Sequence, residues 1–505
     1  MKAFLMYRDR DFDLQQALPW NELALTEDLE LGTLLGAMAG EDKFLFDVAR
    51  AALFSGLGSD VETVLYRQEI LKDCLKNPAA VRQLYDLTVE TIEKTKRQWW
   101  NLSSHYPDSV LFSSVELIES LLEMLKRLRS MAEEAAGQFE STAFSALFTM
   151  VRSELGDEYL ATIRKHLREL SFRRGVLLSA ELGENNQGAN YELRQARDTK
   201  PSWLQRILGK EPPGHSFHLD DRDETGAKIL SEMRHQGISR VATTLAQSAD
   251  HVLNFFKMLR TELAFYMGCL NLHGKLTAKG EPVCFPAPVA AGMRKLRFRG
   301  LYDVCLSLHM EHRLVGNEAE ADGKALTVLT GANHGGKSSL LRGMGVAQMM
   351  MQCGMYVGAE AYSGELCPSL LTHFIREEDA AMKSGKFDEE LARMSEIADR
   401  LTPDAMIFFN ESFAATNERE GSEIARQIVL ALLEERVKVF FVTHLYEFAR
   451  GFYDRQREDA LFLRAERMAD GTRTFRLLEG DPLETSYGED LYRQIFDPEA
   501  GLENR

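Results

Sequence analysis

Apolar residues in the first half of the chain recur at intervals of three and four, which places their side chains on one face of a helix. In residues 1 to about 100 an example is the run Phe44, Phe46, Val48, Ala51 and Leu53. A further helical pattern extends from about 140 to 172. The amino-terminal region is therefore predicted to be all-α.

Two longer stretches show the narrow apolar seam of a helix that packs against another helix. The first contains Leu111, Val115, Ile118, Leu122 and Leu125. The second begins near Glu224 and contains Ile238, Val241, Leu245, Val252, Phe255 and Leu259. Between them, glycine and proline interrupt residues 175–223, where short apolar runs predict a few strands and loops. We expect an antiparallel helix pair with a small module at its tip; an ordinary helical bundle is the alternative.

Beyond a proline-containing boundary at 282–288 the pattern changes. Short apolar runs at 326–329, 406–409 and 439–442 alternate with helical segments. This alternation predicts a mainly parallel sheet covered by helices. The predicted fold class is α+β and multidomain, with an all-α amino-terminal region followed by a carboxyl-terminal α/β domain.

The composition excludes some classes of protein. With 60 basic and 77 acidic side chains the 505-residue chain has a net charge of −17, so nucleic acid could be bound only by a local basic surface. No run of about 18 uncharged apolar residues is present, and residues 1–11 are too charged for a signal peptide. The six cysteines are scattered without a CxxC pair, which favours reduced thiols in a cytoplasmic protein.

The strongest chemical signal is the segment 331–338, which reads G-A-N-H-G-G-K-S. It fits the P-loop pattern G-x-x-x-x-G-K-[ST], which binds phosphate between a strand and a helix. The apolar run at 326–329 precedes it, and a helix-like stretch at 339–351 follows it. The segment therefore predicts binding of ATP.

Each residue type in this loop has a role in phosphate binding. Gly331 and Gly336 let backbone N–H groups close around phosphate oxygens, and the helix amino terminus adds favourable partial charge. Lys337 can reach the β- and γ-phosphates, and the Ser338 hydroxyl can ligate Mg²⁺.

Two further segments predict hydrolysis. The run at 406–409 ends in Asn410 and Glu411, where nucleotide hydrolases usually carry two acids. Glu411 is predicted to orient the attacking water, whereas Asn410 can hold a metal-bound water without adding charge. His444 follows the run at 439–442 and is predicted to reach the γ-phosphate. A surface glutamate and a purely structural histidine are the alternatives for Glu411 and His444.

These segments resemble the MutS family of DNA mismatch repair proteins. Residues 330–339, T-G-A-N-H-G-G-K-S-S, are similar to the family's T-G-P-N-M-G-G-K-S-T. By this resemblance Asn333, Gly335 and Ser339 join the predicted nucleotide-binding residues. Further similarities to the family's motifs lie at Thr416, Glu420, Gly421, Thr443, Glu447, Phe448 and residues 486–488.

The resemblance implies a domain organisation and a function. It implies a helical core domain over 1–100, lever helices over 101–280 with a clamp-like insert at about 173–223, and an ABC-type P-loop ATPase domain over 281–505. The implied function is an ATPase that couples its nucleotide state to DNA-structure binding through the levers. Because the chain begins with core-like sequence, we expect the mismatch-recognition domain to be absent.

Departures from the family pattern predict slow hydrolysis. Asn410 replaces an acid, and residues 414–416 read A-A-T where the family has R-G-T. In the signature segment at 384–391, which in the family touches the partner subunit's nucleotide, Gly385 replaces a serine. Most of the family's carboxyl-terminal dimerisation element is also expected to be missing. We therefore expect a homodimer that is weak or ATP-dependent.

A local excess of positive charge is a candidate DNA surface. Residues 160–210 hold ten basic and five acidic side chains, which suits sequence-independent phosphate contacts at the lever tip; a solvated mixed-charge tip is the alternative. Two functions stay open, an ATP-driven DNA-binding clamp and a non-catalytic nucleotide-gated interaction module. A chromosome-maintenance ABC ATPase with coiled-coil arms is disfavoured, because Lys337 and Glu411 lie in one carboxyl-terminal domain.

Overall fold

The computed structural model of this chain describes residues 1–99, 107–170, 172, 175–184, 188–194, 218–220, 222–376, 385–468 and 471–483. The chain divides into two compact units. The first comprises Met1–Ala3, Arg82–Glu140 and Phe144–Arg260, and the second comprises Phe4–Val81, Ser141–Ala143 and Thr261–Arg505. No helix in the described ranges is both long and apolar enough to cross a bilayer.

The described helices come mostly from the first half of the chain, and most of the described strands follow residue 280. The described helices are α1 Glu22–Asp28, α2 Leu31–Ala39, α3 Lys43–Ser55, α4 Val61–Lys76, α5 Pro78–Trp99, α6 Pro107–Ala135, α7 Thr142–Glu154, α8 Asp157–Leu170, α9 Glu224–Ala278, α10 Val304–His309, α11 Lys337–Gln352, α12 Lys386–Asp399, α13 Glu418–Glu434 and α14 Tyr446–Tyr453. The described strands are β1 Leu178–Leu182, β2 Gly188–Leu193, β3 Ala287–Val289, β4 Leu296–Leu301, β5 Asn317–Glu320, β6 Leu326–Gly331, β7 Ala361–Glu365, β8 Leu370–Phe374, β9 Met406–Asn410, β10 Lys438–Val442, β11 Ala460–Arg467 and β12 Arg473–Glu479. The predicted mixture of a helical amino-terminal part and a later α/β part is confirmed.

In the first unit, α6 has the apolar seam that the sequence predicts. Its five seam residues, from Leu111 to Leu125, are all buried. One of its neighbours is α5, which runs antiparallel to it, because Glu90 pairs with Arg127 at 2.6 Å and Lys94 pairs with Glu123 at 3.3 Å. The sequence predicts no such pairing, because it places residues 1–100 in a separate core domain.

The seam of α9 agrees with the predicted one only in part. Ile238, Phe255 and Leu259 are buried as predicted. In the middle of the helix Ala242 and Ala249 are buried, whereas the predicted Val241 and Val252 are only partly buried. Alanine is a weak hydrophobic signal, so the pattern of larger residues suggested a face displaced by one position. Among the contacts of α9 with α6, Asp108 lies 3.1 Å from Arg234 and 3.2 Å from His235.

The predicted module between the long helices contains one antiparallel pair. Strands β1 and β2 pair from Leu178 opposite Leu193 to Leu182 opposite Gly188, and the register shifts once between Ser179 and Glu181. The prediction of strands in this stretch is confirmed, but the strands are not the apolar runs at 176–178 and 217–219: only Leu178 of these lies in β1, and His218 and Leu219 lie in no strand. Most of the remaining stretch, residues 195–217, lies outside the described residues.

The second unit is centred on a six-stranded sheet with the order β12-β11-β6-β10-β9-β8. Neighbouring strands are parallel except for the antiparallel pair β11 and β12. The three runs predicted to be parallel strands are confirmed as β6, β9 and β10. Side chains of α12, α13 and α14 join those of the sheet in one buried core that includes Val328, Ile407 and Phe441. A second, four-stranded sheet has the order β3-β7-β4-β5.

The amino-terminal segment packs within the second unit. The buried carboxylate of Glu262, on α9, accepts hydrogen bonds from the backbone N–H groups of Leu5 at 2.5 Å and Phe12 at 3.0 Å. Arg67 Nε donates to the carbonyl of Met6 at 2.9 Å. Because such contacts tie residues 4–81 to the second unit, the compact units differ from the predicted boundaries at 100 and 280. The division into core, lever and ATPase domains remains a prediction.

We predict that Glu262 makes the second unit less stable as the pH rises. Burial, with a smaller contribution from Asp11, raises the pKa of Glu262 from 4.5 to about 7. The folded state therefore keeps a proton that the unfolded state has lost between pH 4.5 and pH 7, and stability falls across this window by up to ~3 kcal/mol.

The measurement is the urea unfolding midpoint of the parent and of Glu262→Gln between pH 4 and pH 8. The parent is expected to lose stability relative to Glu262→Gln as the pH rises. A difference between the two proteins that stays constant over this range would contradict the prediction.

Candidate nucleotide-binding site

The glycine-rich loop, residues 331–338, connects the buried strand β6 to α11. Gly331 has a φ of +106°, and a Cβ at this position would lie 2.9 Å from the backbone nitrogen of Ala465. Gly336 has a φ of +89° and immediately precedes α11. Both positions require glycine, because other residues rarely adopt these angles. The loop thus brings the amino terminus of a 16-residue helix to the edge of the sheet, where its free N–H groups can bind an anion.

The remaining predicted nucleotide-binding residues lie in the same turn. Asn333 is half-buried and Gly335 is buried in the loop, while Ser339 lies in the first turn of α11. A Cβ on Gly335 would lie 2.7 Å from the Cβ of Ala465. The loop is therefore packed closely against β11, which limits how far it can move.

Lys337 is buried at the first position of α11, with 4% of its surface exposed. Its Nζ donates to the carbonyls of Gly331 and Ala332, each at 3.0 Å. Burial lowers the pKa of Lys337 from 10.5 to about 8, while Glu411 acts in the opposite direction. The ammonium group is thus held inside the loop, where an incoming anion would compensate its charge.

Ser338 and Asn410 meet across the sheet edge. The Ser338 hydroxyl donates to Asn410 Oδ1 at 2.9 Å, and both oxygens are of the kind that Mg²⁺ prefers. Both groups are neutral, and the described residues contain no group of three or more His, Cys, Asp or Glu side chains that could hold a metal ion. These two residues fit Mg²⁺ only if phosphate oxygens supply the remaining ligands and the negative charge.

Glu411 and His444 also lie together. His444 Nε2 is 3.1 Å from Glu411 Oε1, and the Glu411 N–H donates to the carbonyl of Val442 at 2.9 Å. The hydrogen bond with His444 lowers the pKa of Glu411 against the opposing effect of burial, and Lys337 lowers it further. The carboxylate therefore stays ionised and can accept a hydrogen bond from a water molecule.

Buried polar contacts fix the two residues that follow Glu411. Ser412 Oγ lies 2.7 Å from Nδ1 of His373, whose Nε2 lies 2.9 Å from the carbonyl of Glu390. The Glu390 carboxylate accepts a hydrogen bond from the Phe413 N–H at 2.8 Å. Burial lowers the pKa of His373 to about 4, so its ring is neutral at pH 7. Strand β8 and helix α12 thereby determine where Glu411 can point.

The motif residues after Glu411 build the start of α13. Thr416 Oγ1 donates to Glu420 Oε2 at 2.9 Å, and Asn417 caps the helix by accepting a hydrogen bond from the Glu420 N–H at 3.0 Å. A Cβ at Gly421 would lie 2.4 Å from the carbonyl oxygen of Phe413. This glycine is needed because the helix approaches the backbone after Glu411 very closely.

The signature-like segment forms the first two turns of α12. Gly385 precedes the helix without a side-chain cap, and Asp388 and Glu389 lie in its first turn. Phe387 packs against the core, and Glu390 is buried. Ser384 and the predicted motif at 486–488 lie outside the described residues.

The described part of the candidate DNA surface consists of four of its ten basic residues. Arg194 pairs with Glu192 at 2.9 Å and donates to Ser179 Oγ at 2.8 Å. Lys165 lies 4.0 Å from Glu169. Arg164 and Arg168 lie on α8. The other six basic residues, Arg173, Arg174, Arg197, Lys200, Arg206 and Lys210, lie outside the described residues.

The structure thus brings Lys337, Ser338, Asn410, Glu411 and His444 to one edge of the parallel sheet. Sequence reasoning did not identify two further side chains near this edge. One is His373, which is buried in β8 and could not be distinguished from any strand residue. The other is Arg473, at the start of β12, whose positive charge lowers the pKa of Lys337. Neither residue belongs to a recognisable sequence motif, and their positions depend on the fold.

Two family models match the sequence. The model described as MutS2 N-terminal domain matches residues 59–279. The model described as MutS domain V matches residues 327–504. The second match includes the glycine-rich loop and the segments that contain Asn410, Glu411 and His444.

Several curated proteins are similar to this chain. "Endonuclease MutS2" of Streptococcus equi subsp. equi (strain 4047) is 24% identical over 352 residues, which are 67% of this chain and 42% of that protein. "MutS protein homolog 4" of Mus musculus is 26% identical over 274 residues, which are 54% of this chain and 27% of that protein. "DNA mismatch repair protein MutS" of Syntrophomonas wolfei subsp. wolfei is 29% identical over 160 residues, 31% of this chain and 19% of that protein. The chain therefore matches less than half of the length of each of these relatives.

Proposed function

Since the chain belongs to the MutS family, we propose that it binds ATP with Mg²⁺ at the glycine-rich loop, hydrolyses it slowly and couples its nucleotide state to DNA binding. In this proposal residues 281–505 are an ABC-type P-loop ATPase. The observation that carries it is the convergence of Lys337, Ser338 and the Glu411–His444 pair at the amino terminus of α11.

Nucleotide binding follows from the charge of the loop. In our proposal the triphosphate enters at the amino terminus of α11, where backbone N–H groups and the ammonium of Lys337 face it. Lys337 then exchanges hydrogen bonds with Gly331 and Ala332 for bonds with phosphate oxygens. Charge-assisted hydrogen bonds are stronger than those to a neutral carbonyl. The energy of this exchange favours the bound nucleotide.

Hydrolysis requires a positioned water molecule. We assign Glu411 to accept a hydrogen bond from that water, and His444 to hold the carboxylate in place and contact the γ-phosphate. Ser338 would ligate Mg²⁺ directly and Asn410 through a water molecule. When bound, the ion supplies positive charge that neutralises the phosphate oxygens. Because Asn410 is neutral, the site holds the ion less firmly than one with an aspartate, which supports slow turnover.

A non-catalytic, nucleotide-gated interaction module is the second candidate. Asp388 and Glu389 favour it, because they put two negative charges in the first turn of α12. In a composite dimer this turn would approach the partner's γ-phosphate, and the two acids would oppose that approach. The two candidates differ in whether ATP is turned over at all, which a phosphate-release assay measures directly.

We predict that Lys337→Met weakens ATP binding roughly 10- to 100-fold, because charge-assisted hydrogen bonds of ~1.5–3 kcal/mol are lost. Titration calorimetry with Mg-ATP measures the affinity. Lys275→Met, which removes an exposed lysine on α9, is the matched control and should bind like the parent. If Lys337→Met binds Mg-ATP as tightly as the parent, the loop does not bind the phosphates.

We predict that Glu411→Gln lowers the turnover of ATP at least roughly 100-fold, because it replaces the carboxylate with a neutral amide that accepts the water's hydrogen bond weakly and cannot take up a proton. Binding of ATP should persist in this variant. Asn410→Asp should raise turnover and reduce the Mg²⁺ concentration needed for it. Glu434→Gln, an exposed glutamate at the end of α13, is the control. If Glu411→Gln turns over ATP as fast as the parent, Glu411 does not position the water.

We predict that ATP favours a homodimer that binds DNA. ATP can do so only through a higher affinity for the dimer than for the monomer. The test is sedimentation of Glu411→Gln at tens of micromolar protein with a labelled DNA duplex, with and without Mg-ATP. We expect a dimer that co-sediments with the label only when Mg-ATP is present. A monomer in both conditions contradicts the composite site, and an equally stable dimer without nucleotide contradicts the gating.

A further inference from the structure

Arg473 is an unusual cation near the glycine-rich loop. Its Nε and Nη2 atoms are buried from solvent and, within the described residues, have no hydrogen-bond partner. An unsatisfied buried donor of a charged group is energetically costly. Buried polar groups almost always have a protein, water or ion partner, so a group without one in the protein points to a partner from outside the chain.

The position of Arg473 is set by the hairpin of β11 and β12. Ala465 in β11 is level with Gly331 at the start of the loop, and Arg467 is level with Arg473. The carbonyl oxygen of Phe475, two residues further along β12, would lie 3.3 Å from a Cβ on Gly336. The hairpin therefore borders the loop directly.

Strand order places this hairpin on one flank of the loop and the hydrolytic residues on the other. In the sheet, β11 and β12 lie on one side of β6, whereas β10 and β9 lie on the opposite side. Glu411 and His444 follow β9 and β10. Arg473 thus approaches the loop from the flank that is remote from the proposed water.

Within the described residues, neither Lys337 nor Arg473 forms an ion pair. The positive charge of Arg473 lowers the pKa of Lys337, which means that it disfavours the charged form of the lysine. Glu411 acts on Lys337 with the opposite sign, but it already pairs with His444. The nearby acid Glu466 accepts a hydrogen bond from Thr474 at 2.7 Å. An anion between Lys337 and Arg473 would compensate both cations.

We propose that Arg473 is a second cationic ligand for the phosphates of a bound nucleoside di- or triphosphate, reaching them from the flank opposite Glu411. This inference rests on the proposed function and adds a binding residue to the same site. Because Arg473 lies away from the hydrolytic side, it contacts phosphates that ATP and ADP share. It strengthens the binding of both nucleotides and leaves the hydrolytic step to Glu411.

The test compares Arg473→Met with the parent by calorimetric titration of Mg-ATP and Mg-ADP. We expect the dissociation constants of both nucleotides to rise roughly 10-fold or more, as for the loss of one charge-assisted contact. The turnover number at saturating ATP should change less than about threefold, because the lost contact stabilises bound ATP and the transition state equally. Arg473→Lys should restore part of the affinity. Arg476→Met, an exposed arginine on the same strand, should bind both nucleotides like the parent.

A thermal unfolding scan without nucleotide separates ligand binding from a structural role. Removing a guanidinium whose Nε and Nη2 have no hydrogen-bond partner among the described residues should leave the unfolding midpoint of Arg473→Met unchanged or raise it. A lowered midpoint with unchanged nucleotide affinity would mean that Arg473 is structural, and it would overturn the inference.

Two further outcomes distinguish this inference from the proposed function. If Lys337→Met loses ATP while Arg473→Met binds ATP and ADP normally, the inference fails and the nucleotide site stands. If neither variant changes the affinity, the proposed function itself fails. If Arg473→Met no longer binds a labelled DNA duplex but binds ATP and ADP like the parent, Arg473 contacts nucleic acid phosphate. This outcome also overturns the inference.

Discussion

The parallel pairing of β6, β10 and β9 is the constraint on which the candidate site depends. Val442 in β10 is level with both Leu329 in β6 and Asn410 in β9. Parallel strands that end level with one another deliver the residues that follow them to a single edge. A slip of one residue would displace a strand end by about 3.3 Å and turn its side chains to the other face. The contacts of Ser338 with Asn410 and of Glu411 with His444 both require the observed register.

Buried polar side chains beneath this edge connect the backbone next to Glu411 with β8 and α12. His373 from β8 and Glu390 from α12 contact Ser412 and Phe413, and none of these groups is exposed. Helix α12 also contains the signature-like segment. In the dimer that we propose, a shift of α12 on contact with a partner would act on the backbone next to Glu411. The same contacts would then connect dimerisation with the placement of the water.

Two cations near the loop have no ion-pair partner among the described residues, although the whole chain is acidic. The net charge is −17, yet the positive charge of Arg473 lowers the pKa of Lys337. Two nearby cations of which one is buried carry a desolvation and repulsion cost that a polyphosphate would offset. The overall charge affects solubility and association with polyanions. The affinity of the site for phosphate depends instead on the groups that lie within a few ångströms of it.

The sequence alone determined three strands of the six-stranded sheet, the loop and the identity of most candidate residues. Apolar periodicity was sufficient for β6, β9 and β10, because each is a short apolar run with a polar end. The spacing of Gly331, Gly336 and Lys337 was sufficient for the loop, because its backbone angles and charge leave few alternative residues. Tertiary structure decided what depends on contacts between distant segments. It joined residues 4–81 to the second unit, paired α6 with α5 and buried Ala242 and Ala249 in the middle of α9 in place of the predicted valines. It also brought Arg473 to the loop, since a lone arginine in a strand acquires meaning only from the groups that surround it after folding.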